Sequence, residues 1–131
     1  MPMRKIFYAL LMIMVAAGCK KETSTPNLAA TINILSPLAI DVYPNGTPLQ
    51  VSGNMEDNND IVQARVEIRN KTSGTVYYQQ STSVSNLSQY NYSWTWNVTG
   101  ITGTTTATVK VICKDKLGNE EFAEVDCTLE N

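Results

Sequence analysis

The chain of 131 residues contains no histidine. Histidine is the usual general base near neutral pH and the commonest metal ligand, so its absence excludes Ser/His/Asp and Cys/His catalysis. The sequence also lacks a glycine-rich phosphate loop and a Cys-x-x-Cys spacing. Asp57 and Asp60 form a carboxylate pair of the kind that hydrolyses glycosidic bonds, but a domain this small lacks an evident cleft. We predict that the protein is not an enzyme and holds no catalytic cofactor.

Positive charge and long apolar runs are also scarce. Ten basic and twelve acidic residues give a net charge of −2, which provides no basic patch for nucleic acid. The run from Ile6 to Val15 has no polar side chain except the Tyr8 hydroxyl. A helix needs about 20 apolar residues to cross a bilayer. This run is therefore too short to span a membrane.

The same run belongs to the strongest local signal in the chain. Arg4 and Lys5 precede it, and small residues and then Cys19 follow it. This order is typical of a secretory signal peptide. The motif Val15-Ala16-Ala17-Gly18-Cys19 resembles the lipobox of bacterial lipoproteins, with Ala16 where that family most often has leucine. A plain cleaved signal with a chance cysteine is the disfavoured alternative, because the chain has only three cysteines and one stands at the required position.

The lipobox resemblance implies an address and an anchor. Residues 1–18 would be a signal peptide, and Cys19 would receive a diacylglycerol and become the acylated first residue of the mature chain. Several acyl chains hold a protein at a membrane far more firmly than one. Residues 19–30 would be the lipidated cysteine and a flexible polar tether of at most ~40 Å. No aspartate follows Cys19, so the resemblance favours the outer membrane, with the periplasmic or cell-surface face left open.

From Thr31 onward, apolar and polar side chains alternate with the period of a β-strand. The clearest strand places Val62, Ala64, Val66 and Ile68 on one face. Polar loops are expected at 57–60 and 81–89, and a turn at 43–46. About seven strands in about 100 residues predict an all-β, immunoglobulin-like Greek-key β-sandwich over residues 31–131.

The last predicted hairpin carries a second resemblance. Its turn, Asp115-Lys116-Leu117-Gly118-Asn119, resembles the turn between the last two strands of bacterial immunoglobulin-like modules. Residues 31–130 are similar to the small immunoglobulin-like lipoproteins of the Bacteroidota. That resemblance implies the same fold. The antibody-type spacing of two cysteines around a tryptophan is absent.

Cys113 and Cys127 are the two thiols that remain after lipidation of Cys19, and an exported chain invites a disulfide. A hairpin centred on Gly118 places Cys113 opposite Ala123 and leaves Cys127 roughly 13 Å further along. A disulfide needs α-carbons within about 7 Å. We predict that both thiols are buried and free.

One strand presents an aromatic face, which is the first candidate binding site. Tyr90, Tyr92, Trp94 and Trp96 alternate with polar residues. A solvated face could stack on sugar rings, whereas a buried face would form core. The polar opposite face favours core for the two tryptophans. Tyr90 and Tyr92 lie nearer the start of the strand and are the candidate ligand contacts, with hydroxyls at the rim.

The second candidate site is acidic. In an immunoglobulin-like sandwich the loop at 57–60 lies at the same end as the last hairpin turn. Asp57, Asp60, Asp115 and Asn119 could then supply oxygen ligands to calcium, which takes six to eight of them. Hydrogen bonding of Asp and Asn within their own turns is the favoured alternative.

Two functions follow from the sequence. The first is a lipid-anchored envelope module with an interaction or structural role, whose partner is an envelope protein or a glycan. The second is a glycan-binding module for polysaccharide capture at the cell surface. Neither involves nucleic acid, and calcium is the only ion the residues suggest.

Overall fold

The computed structural model describes residues 28–131. The predicted signal peptide, Cys19 and most of the predicted tether lie outside the described residues. No helix within 28–131 is long and apolar enough to cross a bilayer. The regular elements there are strands: β1 (Thr31–Ser36), β2 (Val42–Pro44), β3 (Pro48–Asn70), β4 (Val76–Asn97), β5 (Thr105–Asp115) and β6 (Glu120–Glu130).

Two long strands fold the sheet into a sandwich. β3 has 23 residues and β4 has 22, and they pair antiparallel over most of their length. The first part of β3, up to Glu56, pairs with β1 and with the end of β4. The second part, from Ile61, pairs with β5 and with the start of β4. Each long strand therefore belongs to both layers, which confirms the predicted all-β sandwich.

The remaining strands complete the second layer. β5 pairs with β6 in an antiparallel hairpin, and β2 pairs in parallel with the last residues of β6, Thr128 to Glu130. The turn predicted at 43–46 is half right, because Tyr43 and Pro44 end β2 and Gly46 then turns with a φ of 82°. The chain thus passes from the layer of β1 to the layer of β6 between the end of β1 and the start of β2.

The predicted loop at 57–60 is wrong, because β3 bends there without ending. The pairing register shifts between Glu56 and Ile61, and Asp60 has a φ of 57°. Such a bulge redirects a strand and changes which side chains face inward. Ile61 is consequently buried in the core, whereas Val62, predicted to face inward, is only half-buried.

The predicted loop at 81–89 is also wrong. β4 runs through it, with Asn86 at a φ of 53°. β4 pairs only with β3 and is therefore an edge strand. An edge strand tolerates polar residues on both faces, so a Ser/Asn-rich composition resembles that of a loop.

The hairpin register differs from the predicted one. Cys113 pairs with Glu121 and Val111 pairs with Ala123, so the turn centres on Leu117 and not on Gly118. Cys127 pairs with Ala107, which lies six positions from Cys113 along β5 (113 − 107). The two thiols are thus roughly 20 Å apart along the strand direction. Both are buried and free, and burial raises the pKa of Cys113 to about 12 and that of Cys127 to about 11.

The core lies between the two layers and takes residues from both. Each buried aliphatic side chain of this kind stabilises a fold by about 1.5–3 kcal/mol. The largest fully buried apolar residues are Tyr92, Leu49, Met55, Ile61, Ile68, Leu129, Val51, Val66, Val98, Val109 and Val111.

Candidate functional site

The aromatic face of β4 points into the core. Trp94 is 6% exposed and Trp96 is 9% exposed, which confirms the prediction for both. The Trp94 Nε1–H donates to Thr82 Oγ1 over 3.1 Å. Trp96 stacks with Tyr77 and Tyr78, at ring-centre distances of 5.8 and 6.3 Å. These rings close one side of the sandwich.

Tyr92 does not reach the rim, so the sequence-based expectation for its hydroxyl is wrong. The residue is 2% exposed and its ring stacks with Trp94. Its hydroxyl donates to the Asn33 carbonyl oxygen over 2.7 Å, which joins β4 to β1 across β3. Burial raises the pKa of Tyr92 far above its ordinary value. Tyr90 is half-buried against the core. The described rings therefore offer no continuous solvated platform.

Gly53 makes the Tyr92 contact possible. A Cβ at this position would lie 2.5 Å from the Tyr92 hydroxyl oxygen and would collide with the Asn33 carbonyl. Only glycine leaves room for the tyrosine to pass beneath β3. The Gly53–Tyr92–Asn33 contact thereby holds β1 on the first layer.

Asp115 and Asn119 hydrogen-bond within the β5–β6 turn. Asp115 is 1% exposed. Its Oδ1 accepts the N–H groups of Leu117 and Asn119, both over 2.9 Å, and its Oδ2 accepts Asn119 Nδ2 over 3.1 Å. This is the turn chemistry that the sequence favours for such residues.

The bend of β3 does approach that turn, as the sequence-based argument expects. Lys116 donates its backbone N–H to the Asp60 carbonyl over 3.0 Å, and its Nζ lies 3.4 Å from Asp60 Oδ2. Asp57 Oδ1 accepts the Asn59 N–H over 2.8 Å. Within residues 28–131, no group of three or more Cys, Asp and Glu side chains could hold a metal ion. Calcium binding stays a prediction, which calcium titration followed by thermal melting would test.

A cleft of about 490 Å³ lies on the opposite side of the sandwich from the stacked rings. It separates β1 from β6, and sequence reasoning missed it. Its lining residues are Ile32, Asn33, Ile34, Leu35, Asn54, Ala123, Glu124 and Val125. Leu35 is 64% exposed there.

The outer face of the second layer carries charged side chains and one exposed aromatic ring, that of Phe122. Phe122 is 59% exposed, and Lys110 Nζ lies 4.2 Å from the centre of its ring. Opposite charges surround it, including the pairs Arg65–Glu120 and Lys71–Asp126. Exposed ion pairs contribute little to stability, so we expect these two pairs to add little to the free energy of unfolding.

Comparison with known proteins assigns the fold family. The sequence matches the bacterial Ig domain family over residues 31–111. The chain belongs to that family. Together with the strand pairing, this confirms the immunoglobulin-like fold, and no family of enzymes was found. No curated protein matches the chain significantly.

Two solved structures have a similar fold. The fibronectin(III)-like modules of Clostridium thermocellum CbhA share 15% identity at a TM-score of 0.52, over 77% of this chain and 45% of that one. The sporulation control protein Spo0M of Bacillus subtilis shares 13% identity at a TM-score of 0.51, over 79% and 50%. This protein matches about half the length of each of these two solved chains. At such identities the likeness shows the fold alone.

The cleft of the Ig domain had a partial signal in the sequence. β1 carries apolar residues and no charge, whereas β6 carries five carboxylates and no Lys or Arg. The sequence did not reveal that these two strands face each other. Only the sheet order places these two strands at facing edges.

Proposed function

We propose that the protein is a lipid-anchored module of the cell envelope, at the outer membrane, with an interaction or structural role and no catalytic activity. The observation that carries this proposal is the membership of residues 31–111 in the bacterial Ig domain family. The chain places that domain directly after a lipobox-like motif and a polar segment. A binding or scaffolding module requires a rigid fold and a means of attachment, and this order supplies both.

The position of the domain suits a lipid anchor. β1 begins at Thr31, twelve residues after Cys19 (31 − 19). That distance allows the domain to stand at most ~40 Å from the lipid. In this proposal the acyl chains on Cys19 attach the domain to the membrane.

The described residues also support a non-catalytic role. The thiols are buried with raised pKa values, so neither is an accessible thiolate nucleophile near neutral pH. The buried carboxylate Asp115 hydrogen-bonds its own turn. Glycan capture is not favoured as a second function, because Tyr92, Trp94 and Trp96 are buried.

Detergent partition of the full-length chain expressed in a Gram-negative host tests the anchor. We expect the protein in the detergent phase, with mass spectrometry showing an acylated amino-terminal Cys19. Cys19→Ser should move it to the aqueous phase, whereas the matched change Ser24→Ala should not. An aqueous wild-type protein, with its leader intact or cleaved elsewhere, would refute the anchor.

A further inference from the structure

The cleft between β1 and β6 is bounded by two unpaired strand edges. β1 pairs only with β3, so its other edge has no partner strand. β6 pairs with β5 throughout, but β2 covers its far edge only from Thr128 to Glu130. The stretch of β6 from residue 120 to residue 127 therefore has an open edge. An open edge displays backbone donors and acceptors to an incoming strand.

The hydrogen bonds at the end of β6 show which backbone groups face outward. The Thr128 N–H donates to the Asp41 carbonyl over 3.0 Å, and the Glu130 carbonyl accepts the Asn45 N–H over 2.9 Å. Even-numbered residues of β6 thus direct their backbone groups away from β5. The register of β6 has no shift, so Phe122, Glu124 and Asp126 point the same way. No described residue hydrogen-bonds these outward groups.

The side chains of the cleft combine apolar walls with negative charge. Ile32, Ile34 and Leu35 line the β1 wall, and Ala123 and Val125 line the β6 wall. Glu124 lies at the rim. Glu121, three positions away on β6, is exposed but is not among the lining residues. Neither glutamate takes part in an ion pair among the described residues, unlike Glu120 and Asp126, which pair with Arg65 and Lys71.

The charge of β6 argues against a second copy of this chain that would pair through its own β6. The strand carries Glu120, Glu121, Glu124, Asp126 and Glu130 and no basic residue. Pairing two such edges would place like charges opposite one another, which destabilises a sheet. A basic strand is complementary to the same edge.

We propose that this cleft accepts an extended segment of a partner protein, with alternating apolar and basic side chains, which adds to β6 as a further strand in line with β2. The inference deepens the proposed interaction role and rests on it. Main-chain hydrogen bonds to Phe122, Glu124 and Asp126 supply part of the affinity, as in other cases of strand addition. The apolar walls and Glu124 select the sequence of the segment. β1 allows a segment of about six residues, or ~20 Å.

Hydrogen exchange of the full-length protein in detergent micelles, read by mass spectrometry, tests this inference. The probe is the capped peptide Lys-Val-Lys-Val-Lys-Val-Lys. We expect it to slow exchange in the 120–127 region of β6 by at least about tenfold, a direct sign of new backbone hydrogen bonds. A peptide with Glu in place of each Lys tests charge, and one with Pro in place of the central Val tests strand formation.

Two variants locate the site. Glu124→Pro removes an outward N–H and leaves the bonds to β5 intact, so it should abolish the protection. Glu124→Gln keeps the N–H and should weaken binding by about two- to fivefold, the usual size for one exposed charge. Glu56→Gln, a matched charge loss outside the cleft, should bind as the wild type does. Near-ultraviolet circular dichroism shows whether Glu124→Pro folds. If it does not fold, Glu124→Gln and the Pro peptide still test whether the peptide binds at β6 as a strand.

Three results would overturn the inference. They are no protection by the Lys/Val peptide, equal protection by the Pro or Glu peptides, and β6 protection in the free protein that disappears when residues 20–27 are deleted. The last would mean that the chain's own segment fills the cleft. Failure of the anchor is distinguishable, because the Cys19→Ser protein loses membrane partition but should still bind the peptide.

Discussion

The two sides of the sandwich are closed in different ways. On one side a single strand, β4, forms the edge of both layers, and Trp96 stacks there with Tyr77 and Tyr78. On the other side the edges belong to two separate strands, β1 and β6, and a cleft lies between them. A strand that continues from one layer into the other joins the two layers through its backbone. Two separate strand edges can be brought together only by side-chain contacts or by a partner. The difference shows where the two layers are joined by the backbone and where their edges stay open.

Removing a ring from the closed side should have the largest effect. Trp94→Ala deletes a buried indole that stacks with Tyr92 and donates to Thr82, so we expect a loss of about 3–5 kcal/mol in the free energy of unfolding. Chemical denaturation measures it. Phe122→Ala, an exposed ring on the outer face, is the control and should cost less than about 1 kcal/mol. Equal losses for the two variants would mean that the β4 side is not the better packed one.

The next effect should come from the attachment of β1. Gly53→Ala places a methyl group against the Tyr92 hydroxyl and the Asn33 carbonyl, and we expect a loss of about 1–3 kcal/mol. Exchange of the β1 amides should accelerate more than that of β5. Gly74→Ala, where a Cβ meets no atom within 4 Å, controls for the loss of a glycine, although its φ of 74° adds backbone strain. Equal acceleration of amide exchange in β1 and β5 would contradict a local role of Gly53 in holding β1.

A smaller change separates the hydroxyl from the ring. Tyr92→Phe removes the hydrogen bond to Asn33 and keeps the stack with Trp94, so we expect a loss of about 1 kcal/mol, with faster exchange in β1. Tyr90→Phe is the matched control and should be near neutral. A neutral Tyr92→Phe would show that the Asn33 contact does not hold β1.

Thiol titration tests whether the open side admits solvent to the core. Burial raises the pKa of Cys113 to about 12 and that of Cys127 to about 11, above the ordinary value of 9. The unfolded chain therefore ionises first, and stability that is complete below pH 9 falls as the pH rises toward 11–12. At pH 9.5 we expect the free energy of unfolding to have fallen by less than about 1 kcal/mol per thiol.

Alkylation by iodoacetamide provides the direct readout for these thiols. At pH 8 neither should react in the folded protein, and both should react in denaturant. Cys127→Ala identifies which thiol reacts if one does. Rapid labelling of folded Cys127 would show that the β1–β6 side opens to reagents even without a partner.

The smallest expected effect concerns sugars. Because Trp94 and Trp96 are buried, their emission should be blue-shifted and should not change when polysaccharide is added. N-Acetyltryptophanamide, a fully solvated indole, controls for bulk effects of the polymer. A saturable shift in the protein alone would favour glycan binding and would place a solvated ring on the β4 side.

The sequence-based predictions succeeded where the pattern is local. Leu49, Val51 and Met55 alternate with polar residues and are buried, and the same alternation predicted buried tryptophans in β4. They failed where a polar stretch continues a strand. The residues at 57–60 and 81–89 have loop composition, yet each stretch lies within a long strand. The pairing of β3 with β4 shifts register there and then resumes on the far side.

The candidate sites divide in the same way. Asp115 follows ordinary turn chemistry, and local sequence is enough to favour that outcome. The partner of Tyr92 could not be predicted, because Asn33 is 59 residues away and the contact also needs a glycine at position 53. The hairpin register depended on hydrogen bonds within residues 115–119, and a two-residue error in the pairing moved Cys113 from Ala123 to Glu121.

The sequence by itself determined that residues from Thr31 onward form strands and which faces of most strands are buried, because side-chain alternation is a property of consecutive residues. Only the tertiary structure decided that β3 and β4 bend through both layers, that Tyr92 reaches Asn33, and that an uncharged strand faces an acidic one across a cleft. These features depend on pairing between residues distant in sequence. That pairing is set by the packing of the whole domain and is not encoded in any single segment.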